Sequence, residues 1–255
     1  MLRALIVAVC LAVLCAGQAF AGSIGFTTSI TQSAFRSLSK EAGIAIAYKN
    51  DAPPHPLGIT GFDAGVEMEF VDIKKESDYW NNAFGGSATS LGKAPSYIIL
   101  PKVRVRKGLP FGIDVGAMYS NGGNTPVQLY GVEVAKSILA GTVATPALGV
   151  RATYTRLAGV NDIDLQTVGI DASIGKGILF LTPYVGAGMV WIDSKATGNL
   201  QSFATALGAP IGEEKIWQPR FFGGVEVKPL PFIRVLGEVE YSLRPIYSLK
   251  AAVGF

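Results

Sequence analysis

The chain has 255 residues, 49% of them hydrophobic, and its 22 basic and 19 acidic side chains give a formal net charge of +3. So small an imbalance excludes the basic face that nucleic-acid binding requires. Beyond residues 1–21 no run reaches the roughly 18 apolar residues of a membrane helix, so the hydrophobicity is dispersed along the chain.

Residues 1–21 join Arg3, an uninterrupted apolar run and Ala19-Phe20-Ala21. This pattern predicts a secretory signal peptide cleaved after Ala21. Both cysteines, Cys10 and Cys15, fall inside it, and Leu14 occupies the place where a lipoprotein signal at Cys15 needs a small residue. A chain starting at Gly22 then carries no thiol and a single imidazole, His55. No cofactor, metal centre or catalytic base is expected from that inventory. Clustered oxygens at Asn161, Asp162 and Asp164 would suit calcium but are expected to be a solvated loop.

Residues 22–57 form a separate segment. Ile30, Ala34, Leu38 and Ala42 recur at helical spacing, which predicts a helix over 31–42 stopped by Gly43. The Pro-rich stretch 51–56 predicts a stiff, extended approach to the first strand. The segment fits a plug in a lumen, a periplasmic cap or a mobile tail; alternatively, 43–49 is an additional strand.

Residues 58–255 alternate with period two in ten runs: 61–71, 97–106, 111–120, 128–135, 148–156, 167–174, 181–192, 221–228, 233–242 and 247–255. Each has one apolar face and one small, polar or charged face. Three connections, at 106–111, 175–180 and 228–232, read as tight turns at one end. Two long polar loops, 72–96 and 193–219, lie at the other. Aromatic residues cluster at both ends of the apolar faces, as interfacial girdles do. This predicts an all-β, antiparallel up-and-down transmembrane barrel of about ten strands, or twelve with 43–49 included. A secreted β-sandwich would also alternate, but it would bury these charge-free faces.

The final strand places Tyr247, Leu249, Ala251, Val253 and Phe255 on one face and ends on the aromatic ring. It resembles the C-terminal assembly signal of bacterial outer-membrane β-barrel proteins. That resemblance implies the outer membrane of a Gram-negative bacterium, recognition by the barrel-assembly machinery, and contact with membrane lipid and lipopolysaccharide. The opposite faces would line the lumen with Asp63, Glu67, Glu69, Asp114, Glu133, Asp171, Glu226, Glu238 and Glu240. Facing them are Lys102, Arg104, Arg106, Arg151, Lys228, Arg234 and Lys250. The expected function is a narrow pore for small polar solutes, with no enzymatic activity. The alternative is a closed barrel acting through its loops, where Lys74, Lys75, Tyr79 and Trp80 are the surface candidates, although the two aromatics are expected to form the loop's own packing core.

Overall fold

The computed structural model describes residues 25, 26, 28–85, 94–122, 126–142 and 144–255, and the predicted signal peptide lies outside them. Ten strands follow one another: β1 (Phe62–Asp72), β2 (Tyr97–Leu109), β3 (Ile113–Asn121), β4 (Gln128–Leu139), β5 (Ala147–Ala158), β6 (Ile163–Gly175), β7 (Leu181–Ala196), β8 (Glu214–Leu230), β9 (Ile233–Tyr241) and β10 (Pro245–Gly254). Each pairs antiparallel with its neighbours in sequence, and β1 pairs with β10, so the sheet closes with no free edge. Closure is completed by reciprocal backbone bonds between Phe62 and Phe255, at 3.0 and 3.1 Å, and by an edge-on contact of their rings at 4.6 Å.

The predicted parity holds around the barrel. Val103, Val132, Ile170, Val239 and Leu249 are exposed on the outer surface, while their sequence neighbours are buried inside. Such an apolar exterior is the mark of a transmembrane barrel, because only hydrocarbon favours it over the whole circumference. Tyr97, Tyr130, Trp217, Tyr241 and Tyr247 ring the long-loop end, and Phe111, Phe180, Phe232 and Phe255 the turn end. The β2–β3 turn is a 3-10 turn at Pro110–Gly112, in which Phe111 and Gly112 both take positive φ, 64° and 69°. Glycine adopts that conformation freely; the largely exposed Phe111 does so against steric resistance.

Among the described residues the segment before β1 adds no strand, and the barrel has ten. Helix α1 spans Gln32–Ile46, with the Thr31 hydroxyl accepting the Ala34 amide as N-cap. It therefore runs past Gly43, the expected stop. Gly43 serves packing instead, since a Cβ there would stand 2.5 Å from the buried Ile192 side chain of β7. Two further helices, α2 (Asp78–Gly85) and α3 (Gly198–Ala206), belong to the long loops. The second of these loops is shorter than expected, 197–213, because β7 and β8 remain paired up to Ser194 and Glu214.

The interior has two tiers. Near the long loops, inward residues are apolar: Val71, Ile98, Leu100, Leu129, Leu165, Val190, Ile192 and Ile246 form one core with Phe35, Leu38 and Ile44 of α1 and Trp80 of α2. Toward the turns they are mostly charged, with a small cluster of Tyr184, Phe222 and Leu236 among them. The helix thus fills one end of the barrel as it would the core of a soluble domain.

Replacing Gly43 by Ala tests this seat. In an exposed helix the change would stabilise by about 1 kcal/mol. Here overpacking against Ile192 reverses the sign, and we expect a loss of about 1–3 kcal/mol, read as a lowered temperature for loss of the fast-migrating folded band on gels.

Candidate functional site

Leaving α1 at Ala47, the chain turns down the axis of the barrel, and Tyr48, Lys49, Asn50 and Asp51 are all buried. An extended segment inside a closed barrel has no strand to pair with, so its carbonyls need side-chain donors. Three arginines from three strands supply them. Arg220 of β8 donates to the Tyr48 carbonyl at 2.8 Å, and Arg104 of β2 to those of Lys49 and Asn50 at 2.8 and 3.3 Å. Arg151 of β5 reaches the same two carbonyls, at 3.3 Å to Lys49 and more closely to Asn50. The Arg104 guanidinium also lies 4.4 Å from the centroid of the Tyr48 ring.

Each arginine is itself held by acids of the wall. Arg220 meets both oxygens of Asp171, at 2.8 and 2.5 Å, and Glu240 at 3.3 Å. Glu133 bridges Arg151 and Arg106 at 3.2 and 2.7 Å. Arg104 lies 3.5 Å from Glu67 and 3.8 Å from Asp51. The threaded segment contributes a cation of its own, Lys49, bound to Glu240 at 2.8 Å. Glu238 accepts from the Tyr184 hydroxyl at 2.6 Å and the Asp51 amide at 3.1 Å. Lower down, Asp114 accepts the Leu57 amide at 3.1 Å, and Lys107 donates to Ile59 and Gly61 carbonyls at 2.7 and 3.1 Å, which delivers the chain to β1 at the turn end.

Of the expected lumen residues Lys228 stays largely outside, its side chain being 42% exposed, and the others are brought together, with two further differences. The acidic ladder of β1 and the basic ladder of β2 pair only in part. Lys102 joins Glu69 and lies 3.8 Å from Glu67, whereas Arg106 turns away to Asp114 and Glu133. Asp63 is served instead by Lys250 and Arg234, at 2.7 and 3.4 Å, and Glu226 by Lys228 at 3.1 Å. Arg220 and residues 48–51 are additional members. Arg220 continues the inward series of Phe222, Gly224 and Glu226, but the adjacent Pro219 makes the stretch read as a loop. Carboxyl oxygens of Asp51, Glu67 and Glu69 all lie within 4.8 Å of one another. Lys102 and Arg104 already supply countercharge to this cluster.

At the long-loop end, Glu41 of α1 accepts from Trp80 Nε1 at 2.6 Å, the Tyr79 hydroxyl at 2.9 Å and the Lys74 amide at 3.3 Å. Tyr79 and Trp80 are thus not free surface aromatics: Trp80 is 3% exposed and stacks on Phe84. Of the four surface candidates Lys74 and Lys75 are exposed, Tyr79 is half-buried and Trp80 is buried. Asp162 is not a solvated loop residue either, since its two oxygens accept the Phe26 and Asn199 amides at 2.9 and 2.8 Å. His55 lies half-buried among the turn-end residues, its imidazole held below the ordinary histidine range by burial and by Lys228.

No protein-family model matches the chain, and no curated protein matches it. Among solved structures it is similar to the N-terminal β-barrel domain of Pseudomonas aeruginosa OprF, at 11% identity over 78% of this chain and 99% of that one, with a TM-score of 0.35. Ail, the attachment invasion locus protein of Yersinia pestis, gives 10% identity over 76% and 97%, with a TM-score of 0.32. The KdgM porin gives 8% over 76% and 99%, with a TM-score of 0.33. At these values the likeness carries no inference about function, and the barrel assignment rests on the strand pairing itself.

Arg220→Met would strand Asp171 in the interior, leave Glu240 to Lys49 alone and free the Tyr48 carbonyl. We expect a loss of about 3–5 kcal/mol in urea unfolding of the purified barrel. Arg156→Met, which breaks an exposed pair with Asp164, should change it by no more than about 1 kcal/mol.

Proposed function

We propose that the protein is a closed barrel of the Gram-negative outer membrane, sealed by its own N-terminal segment and acting through the cap at its long-loop end. The supporting observation is the triple-arginine grip on the Tyr48, Lys49 and Asn50 carbonyls, which leaves charged side chains and plug backbone where an open pore would hold water. The apolar belt, the leader and the C-terminal assembly signal support the location. On this reading passive transport of small solutes is not the resting activity. Lys74 and Lys75, with the exposed Phe203 and Leu207 of the α3 loop, form the face offered to lipopolysaccharide phosphates or a surface partner.

Planar-bilayer recording of the refolded protein tests this. The chain from Gly22 onward is expected to show no discrete openings, and a version lacking residues 25–57 to show steps whose ion selectivity changes with Arg104→Gln. Steady openings of the full-length protein would refute the closed barrel.

A further inference from the structure

The outer surface is not uniformly convex. Across β7, β8 and β9 the apolar belt is cut by an open groove of about 690 Å³. Pro183, Val185, Val225 and Val239 wall it, and Gly223 and Gly237 form its floor. The register sets Gly223 between Val185 and Val239, and Gly237 beside Val225.

Nothing within the chain requires either glycine. A Cβ at Gly237 would meet no atom within 4 Å, and one at Gly223 would make ordinary contacts, 3.4 Å to Val185 and 3.7 Å to the Tyr184 carbonyl. Gly188, inside the barrel, differs: its Cβ would fall 2.0 Å from Asp171. Neither Gly223 nor Gly237 has positive φ. Glycine within a strand weakens it unless something approaches closely, so the approach comes from outside the chain.

In hydrocarbon this concavity cannot hold water, since its apolar walls give water no partners. A flexible apolar chain fills it. At its turn end the groove reaches Lys176, whose ammonium spends one bond on the Ala144 carbonyl at 2.9 Å and keeps others to offer. Beside Lys176 the turn projects Ile178, Leu179 and Phe180 into the surroundings, Leu179 being 97% exposed. An apolar slot ending at a cation among interfacial apolar residues complements an amphiphile that carries an acyl chain and an anionic phosphate.

We propose that this groove binds one glycerophospholipid, with an acyl chain over Gly223 and Gly237 and its phosphate at Lys176. The inference rests on the membrane location and not on the closed lumen, so the conductance result leaves it standing or falling on its own test. The full-length protein is reconstituted in nanodiscs of phosphatidylethanolamine and phosphatidylglycerol, moved to mild detergent, and weighed by native mass spectrometry. We expect a single retained phospholipid with phosphatidylglycerol preferred. Gly237→Leu and Gly223→Leu should each lower the retained fraction at least about fivefold. Lys176→Gln should erase the headgroup preference, and Val103→Leu on β2 should change nothing; folded-band migration confirms that each variant is intact. Undiminished retention in Gly237→Leu overturns the proposal, as does a wild type that carries no lipid. A two-copy species that Gly237→Leu dissociates also overturns it, and would make the groove a subunit contact.

Discussion

A polypeptide buried in a closed barrel must find partners for every backbone carbonyl without access to a sheet ladder, and the rest of this interior is arranged around that demand. Arg104, Arg151 and Arg220 meet it because a guanidinium presents several donors in a fixed plane. Buried cations cannot be left alone, so each recruits carboxylates from neighbouring strands, which explains why Asp171, Glu133, Glu67 and Glu240 lie where they do. The charged tier therefore serves as a scaffold for the N-terminal segment.

The apolar tier solves a different problem. A barrel of ten strands is too wide to be filled at both ends by side chains from its own wall. Helix α1 supplies the missing volume, presenting Phe35, Leu38 and Ile44 to the inward residues of the strands. Polar pins then fix its position. Glu41 holds α2, Ser39 contacts Ser194, Arg36 reaches Glu214, and Asp162 ties the stretch before α1 to the start of α3. These contacts make the N-terminal segment, the two long loops and the strand ends a single cap.

Strand number, parity and closure were legible in the sequence, because period-two alternation is local and an outward apolar face in hydrocarbon tolerates no charge. So were the inward acids and bases. What escaped was long-range. Inward Ile98, Leu100 and Leu165 cannot be told from ordinary strand residues until a helix lies against them. Gly43 reads as a helix stop because a close neighbour such as Ile192 is invisible in the chain. Arg220 sits beside Pro219, which signals a loop, yet an outward proline paired to Met189 is compatible with the strand. Residues 48–51 carry no pattern of their own; their role exists only through the wall around them. Trp80 reads as either a surface aromatic or the loop's own packing core, and its bond to Glu41 and its stack on Phe84 place it in the core.

The closed interior depends on α1 lying inside the long-loop end of the barrel, with the residues after it threaded to the turn end. Ser39 Oγ and Ser194 Oγ are 2.9 Å apart, and the chain from Gly22 onward is free of cysteine. Converting both by Ser39→Cys and Ser194→Cys and extracting the protein from membranes under mild oxidation should give a cross-linked band on non-reducing gels and no maleimide labelling. Two freely labelled thiols on a correctly folded barrel would contradict the threaded arrangement and return the lumen to consideration as an open pore.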